Sequence, residues 1–249
     1  MKGSAGFLPA GGGCSKSPSG RPARPGRGQP STITVVMSSW TQADSSVGQR
    51  YLLLADISGY TAFMAGVEQA HGVDFSAGIP AGYAIMGALL DAVVEGVQPE
   101  FDIVKLEGDA VFAVAPVDTL DGRGNSVLSQ LQTVYEAFRA RRAEARHAKD
   151  HLCTACPVVG SLELKMVLHR GQVVRQTVGS QSELLGPAVN VAHRLLKNTV
   201  QSRIGYRPYL FLTDSATAGL GLSHMGLDHR EEYADVGPVQ GRVVELGKD

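Results

Sequence analysis

The chain has little of what marks a secreted, membrane-spanning or nucleic-acid-binding protein. Its three cysteines, Cys14, Cys153 and Cys156, are too few and too unevenly spaced for a disulfide framework. That points to a reducing compartment, with the cytoplasm as the expectation. No run approaches the ~20 apolar residues that cross a bilayer, and the first thirty residues lack the continuous apolar region of a signal peptide. An excess of one charge is also missing. Lys and Arg total 23 against 24 Asp and Glu, a formal net charge of -1, so no global field draws the protein to nucleic acid or to an anionic membrane. Any phosphate chemistry must come from local residues.

Acidic residues are absent from positions 1–36, which instead hold eight Gly, five Pro and five basic residues. Such a composition buries too little apolar surface to offset the entropy of ordering it. Residues 1–46 therefore read as a disordered leader and 47–249 as one domain. Met37 opens more ordinary sequence and is a candidate translation start; the plainer alternative is a flexible basic arm. With 43% hydrophobic residues over 249, the domain can bury a sizeable core.

Apolar periodicity and turn residues sketch the elements. Tyr51–Asp56 is an apolar strand ending in a carboxylate, Ser58-Gly59 turns the chain, and helices follow at about Thr61–Gln69 and Pro80–Val97. Phe101–Leu106 and Asp109–Ala115 form a hairpin with its tip at Glu107-Gly108, placing Asp109 at the start of the second strand. A helix runs from Asn125 to about Ala148. Strands Leu162–Leu168 and Val173–Val178 pair about Arg170-Gly171, and Gly186-Pro187 opens a helix. The strand Tyr209–Thr213, a short helix and strands near Glu231–Val236 and Arg242–Leu246 close the domain. The order contains a βαββαβ core, so the expected class is α+β, with a ferredoxin-like sheet and extra C-terminal strands.

Asp56 at a strand end and Asp109 beside a hairpin tip are ordinary positions for capping or turn residues. Brought together, they would repel unless cations bridged them, and such oxygen ligands suit Mg²⁺ or Mn²⁺. Three segments in order sharpen this. Asp56-Ile57-Ser58-Gly59-Tyr60-Thr61, Lys105-Leu106-Glu107-Gly108-Asp109 and Gly186-Pro187-Ala188-Val189-Asn190-Val191-Ala192-His193-Arg194-Leu195 resemble the first metal motif, the hairpin motif and the helix motif of the class III adenylate and guanylate cyclases. The spread runs from about Tyr51 to Leu246. A narrower resemblance, carried by Ala55–Met64, Leu106–Val114, the Cys153 and Cys156 pair ahead of Leu162–Gly171 and, above all, His193–Asn198, is to a poorly characterised bacterial cyclase-like family.

The resemblance implies a nucleotidyl cyclase that converts a nucleoside triphosphate to a 3′,5′-cyclic nucleotide and pyrophosphate using two Mg²⁺ or Mn²⁺ ions per site. It assigns metal binding to Asp56, Asp109 and the Ile57 carbonyl, and triphosphate contacts to Ser58, Gly59, Tyr60 and Thr61 at a helix start. Base reading falls to Lys105 and Glu183, and catalysis to Asn190 and Arg194. The last two lie at i and i+4 and share a helix face, where a guanidinium can meet developing phosphate charge. A Lys donor beside a carboxylate acceptor matches adenine best, so ATP is the expected substrate. Glu183 stands where adenylate cyclases usually carry Asp, which leaves cytosine or guanine open. In the family the metal carboxylates and the Lys, acidic and Asn/Arg set lie on opposite faces, which implies a symmetric homodimer. The alternative is a catalytically silent cyclase-homology domain acting as a nucleotide-binding or regulatory module. The GGDEF signature of diguanylate cyclases is absent.

Other signals are weaker. Cys153 and Cys156, with His147 and His151 nearby, are open to zinc, redox and plain structural readings. His169 and His193 read as packed or capping residues, Lys165 as an exposed position on a strand, and Arg230 as a possible extra phosphate ligand.

Overall fold

Runs that are apolar at every position need cover on both faces, and Tyr51–Ala55, Ala110–Ala115 and Tyr209–Leu212, all buried, obtain it. The computed structural model describes residues 46–72, 75–147, 156–222 and 224–247. Residues 1–45 of the expected leader, with Cys14 and Met37, lie outside these residues, as do Cys153, His151 and the side chains of Cys156 and His147, and with them every reading of the cysteine pair. The order is β1 (Ser46–Ser58), α1 (Tyr60–His71), α2 (Ala81–Val97), β2 (Asp102–Glu107), β3 (Ala110–Pro116), α3 (Val117–Leu120), α4 (Gly124–His147), β4 (Glu163–Val178), β5 (Gln181–Leu185), α5 (Pro187–Leu195), α6 (Val200–Ile204), β6 (Tyr209–Thr213), α7 (Asp214–Leu220), β7 (Leu227–Tyr233) and β8 (Gly237–Glu245), with short 3-10 turns at Phe75–Ala77 and Cys156–Ser161.

Among the described residues the strands form one eight-stranded sheet in the order β2-β3-β1-β4-β6-β8-β7, with β5 folded back on β4. The β2-β3-β1-β4 part is antiparallel and is linked by helices between β1 and β2 and between β3 and β4. This is the expected ferredoxin-like βαββαβ core. A parallel pairing of β4 with β6 then extends the sheet, and β8 and β7 supply the extra C-terminal strands. The fold is α+β. No helix among the described residues is long and apolar enough to cross a membrane.

Two turns differ from expectation. Arg170-Gly171 is no turn: β4 runs unbroken through both residues and reverses only after Val178, at Gly179, whose φ of 65° the turn requires. Gly171 is small for another reason, because a Cβ there would stand 2.6 Å from the Ala188 Cβ on α5. The other hairpin turns at Gly108-Asp109, one residue later than expected, since the residue with positive φ (66°) is Gly108 and the pair closing the turn is Glu107 with Ala110. Asp109 therefore sits in the turn.

Alternation along the strands sorts the core into two faces. Tyr51, Leu53, Ala55 and Ile57 of β1 pack with Phe63, Leu89, Val93, Leu131 and Phe138 from α1, α2 and α4. Leu52 and Leu54 point the other way, toward Phe112, Val167, Phe211 and the buried side of α5, Ala188, Ala192 and Leu195. The chain beyond α5 is anchored by a buried carboxylate. Glu231, 4% exposed, accepts from the Thr199 N–H (2.6 Å), the Thr199 hydroxyl (2.8 Å) and His229 Nε2 (2.6 Å). Burial raises its carboxyl, but these hydrogen bonds outweigh burial and hold it below its ordinary 4.5.

Gly171→Ala should destabilise the protein by about 1–3 kcal/mol through overpacking against Ala188, measurable by urea denaturation. Glu231→Gln should cost about 3 kcal/mol by leaving the His229 and Thr199 donors badly matched. A depressed carboxyl stabilises the fold above its unfolded value, so wild-type stability should fall as pH drops below about 4.5, and the Gln variant should lose that part of the pH dependence.

Candidate active site

Pairing across the sheet sets two charged residues of β2 and one each of β1 and β4 in adjoining rows on the α5 face. Glu107, Ala110, Asp56 and Lys165 are successive partners across β2, β3, β1 and β4; Lys105, Phe112, Leu54 and Val167 form the next row. With strands about 4.8 Å apart, Glu107 and Asp56 are about 10 Å apart along their row. The expected separation onto opposite faces is not observed. Asp56 is tied through Lys165 to the end of α5 and Lys105 through Glu107 to His193 on α5, so both groups lie on the face this helix covers. The physical reason is parity: Asp56 is two residues on from Leu54, and Lys105 stands opposite Phe112.

Asp109 is brought to Asp56 by a backbone clamp, in which the Ile57 N–H donates to the Asp109 carbonyl at 3.0 Å. Burial, and next the neighbouring Asp56 charge, push the Asp109 carboxyl above its ordinary value; its own backbone amide and Lys165 offset this in part. These are the electrostatics of a carboxylate pair short of positive charge. Lys165, expected at an exposed strand position, is instead mostly buried. Its Nζ lies 2.9 Å from Asp56 Oδ2 and donates to the Leu196 carbonyl at 3.0 Å, at the C-terminal end of α5.

Ser58 and Gly59 link β1 to α1. Gly59 adopts a φ of 91° as the N-cap and offers no side-chain cap, so the first-turn amides of Tyr60, Thr61 and Ala62 have no intrahelical acceptor. The Phe63 N–H is the first to close, on the Gly59 carbonyl. Thr61 is exposed at the start of this helix.

Lys105 and Glu183 are also in electrostatic contact. The Lys105 ammonium is raised above its ordinary range chiefly by its hydrogen bond to Glu107, whose Oε1 is 2.9 Å away, and Glu183 adds to the effect. Glu107 has a second partner, His193 Nε2 at 3.0 Å, while His193 Nδ1 faces the Val189 carbonyl at 2.9 Å and its ring lies edge-on to Phe112. Burial raises the Glu107 carboxyl, but Lys105 and His193 outweigh it and the net shift is downward. Asn190 and Arg194 are exposed on α5. The Asn190 amide makes no side-chain hydrogen bond among the described residues, whereas Arg194 pairs with Asp235, Nε at 2.7 Å and a terminal nitrogen at 2.5 Å. Both partners are about half exposed, so this pair contributes at most about 1 kcal/mol and can be exchanged for a phosphate.

The sequence reading gave no site role to Glu107, His193 or Asp235. Glu107 carried a usable signal, since it lies two positions from Lys105 and thus on the same strand face. His193 carried one only in hindsight of its contact with Glu107. Asp235, in the turn between β7 and β8, carried none. Arg230 pairs with Glu232 at 3.0 Å, and no residue of the rows above contacts it.

The family profile that matches covers residues 86–204 and is described as a protein of unknown function, DUF2652. An uncharacterized Mycobacterium tuberculosis protein, Rv2561/Rv2562, is 37% identical over 133 residues; the match takes in 52% of this chain and only 57% of the relative. Among solved structures the guanylyl cyclase Cya2 superposes with a TM-score of 0.60 at 15% identity, covering 82% of this chain and 95% of that one. The P. aeruginosa adenylyl cyclase CyaB gives 0.59 at 15%, covering 83% and 98%. The likeness is one of fold: this chain has the architecture of class III cyclase domains.

A raised aspartate destabilises the folded state at pH values above its unfolded one, because the charged form is disfavoured there. Asp109→Asn should therefore raise the melting temperature at neutral pH in metal-free buffer, by about 2 °C for a domain of this size, as read by differential scanning calorimetry.

Proposed function

We propose that the chain is a nucleotidyl cyclase, with ATP as the favoured substrate, acting at the interface of a homodimer. The observation that carries the reading is the apposition of Asp56 and Asp109 beside the uncapped N-terminus of α1, on a cyclase fold. Two carboxylates are a sparse donor set, and among the described residues no group of three or more His, Cys, Asp or Glu could hold a metal. That sparseness suits Mg²⁺ or Mn²⁺, which commonly take one or two carboxylates and complete their shells with substrate phosphates and water. Asp56, Asp109 and the Ile57 carbonyl would hold the ions. When bound, two such ions supply Lewis-acid activation of the attacking hydroxyl and neutralise the leaving phosphates.

The chain's own groups do the rest. The first-turn amides of Tyr60 and Thr61, which no side chain caps, receive the triphosphate at the positive end of α1, with Ser58 and Gly59 shaping the turn. Lys105 donates to a ring nitrogen of the base and Glu183 accepts from its amino group. Glu107 accepts a hydrogen bond from the Lys105 ammonium and so fixes its direction. As the 3′-hydroxyl gives its proton to water and its oxygen bonds to the α-phosphorus, the bond to the bridging oxygen breaks, pyrophosphate leaves and charge grows on the phosphoryl oxygens; Arg194, freed from Asp235, meets it, with Asn190 one turn away. Exposure of Asn190 and Arg194 on one helix face is what a site completed by a second protomer would need.

A second reading, a nucleotide-binding module without turnover, is favoured by one observation: in the protomer Asp56 and Arg194 are both already paired, with Lys165 and Asp235. Pyrophosphate release by the full chain with Mn²⁺ and each of the four ribonucleoside triphosphates separates the two. Release from one triphosphate, expected to be ATP, that is lost in Asp109→Ala establishes the cyclase. Nucleotide binding with no release from a folded dimer establishes the module.

A further inference from the structure

The contacts of Lys165 give it a part in the carboxylate site that the cyclase reading does not use. Its side chain is 19% exposed and that of Asp56 15%, so the pair is largely screened from water. Register places it there, since Lys165 is the direct cross-strand partner of Asp56. Its ammonium is held from a second side by the Leu196 carbonyl, at the negative end of α5. It pairs with Asp56 and lies within electrostatic range of Asp109. The two carboxylates sum to two negative charges and the ammonium removes one.

We propose that Lys165 is a resident cation of the Asp56–Asp109 site that holds its affinity for free divalent metal low, so that metal enters together with the negative charge of a nucleoside triphosphate. The inference rests on the metal-binding reading of these two aspartates and deepens it. A divalent ion arriving alone meets a site with a single net negative charge and must take Asp56 Oδ2 from Lys165. A metal–triphosphate complex brings its own anionic oxygens, which an ammonium at that position attracts. Lys165 thereby couples metal loading to nucleotide arrival and ties both to the end of the helix that carries Asn190 and Arg194.

The role depends on charge, and charge can be removed while the contacts are kept. Lys165→Gln leaves a group able to hydrogen-bond both Asp56 and the Leu196 carbonyl but removes the positive charge; Lys165→Arg keeps the charge. Lys165→Met is the second neutral variant should the Gln protein not fold. Free Mn²⁺ is titrated into the full chain without nucleotide and followed by electron paramagnetic resonance, with Asp109→Asn as the control for the site. The neutral variant is expected to bind Mn²⁺ at least about tenfold tighter than wild type, as removal of a unit charge a few ångströms from a divalent ion should give. The Arg variant should stay near wild type. A folded neutral variant that binds Mn²⁺ no tighter than a wild type whose binding depends on Asp109 overturns the role of Lys165 and leaves the metal site standing. No Asp109-dependent Mn²⁺ binding in any of the proteins overturns both.

Discussion

The antiparallel pairing of β1 with β4 over all 13 residues of β1 is the constraint on which the rest of the structure depends. It sets Asp56 opposite Lys165 and makes β1 a two-faced strand, with one set of alternate residues under α1, α2 and α4 and the other under α5. A slip of one residue would exchange the faces, sending Leu52 and Leu54 toward the helical layer and Asp56 into the apolar core. Burial on both sides makes such a slip costly. The position of the candidate site is therefore fixed by the hydrophobic core and not by the charged residues themselves.

Helix α5 is the element through which the charged groups communicate. Its buried residues are small near its start, and Ala188 sits over Gly171, which lets the helix lie close on β4. From that position His193 reaches Glu107 on β2, the Leu196 carbonyl just past the helix receives Lys165, and Arg194 reaches Asp235 in the β7–β8 turn. These links differ in strength. Lys165–Asp56 is mostly buried and resists exchange, whereas Arg194–Asp235 is exposed and yields readily to a competing anion. A nucleotide would thus find one half of the site firmly held and the other easily rearranged.

The resemblance to class III cyclases and the likeness of fold agree on architecture, and at 15% identity the second carries nothing more. What makes chemistry plausible is local. Asp109 is raised by burial and by Asp56, the first turn of α1 lacks a side-chain cap, and Lys105 stands between two carboxylates. The first two leave negative charge and amide donors uncompensated in the isolated protomer, while the third holds a cation ready beside acceptors.

Much of this was legible without coordinates. Apolar runs separated by Gly and Asp turns placed the central strands and the long helices, and the βαββαβ order follows from them, because those signals are local and periodic. The spacing Asn190 to Arg194 put both on one helix face for the same reason, and the two aspartates were recognisable by their place at strand and turn ends. Tertiary structure alone decided why Gly171 is glycine, since nothing local distinguishes a glycine needed for a turn from one needed under a helix. It alone set both charged groups on a single face, because parity on β2 depends on a register shift between Ile103 and Lys105. The partners of Lys165, His193 and Arg194 lie 109, 86 and 41 residues away in the chain, and contacts at such separations are dictated by how sheet and helices pack, which no local pattern encodes.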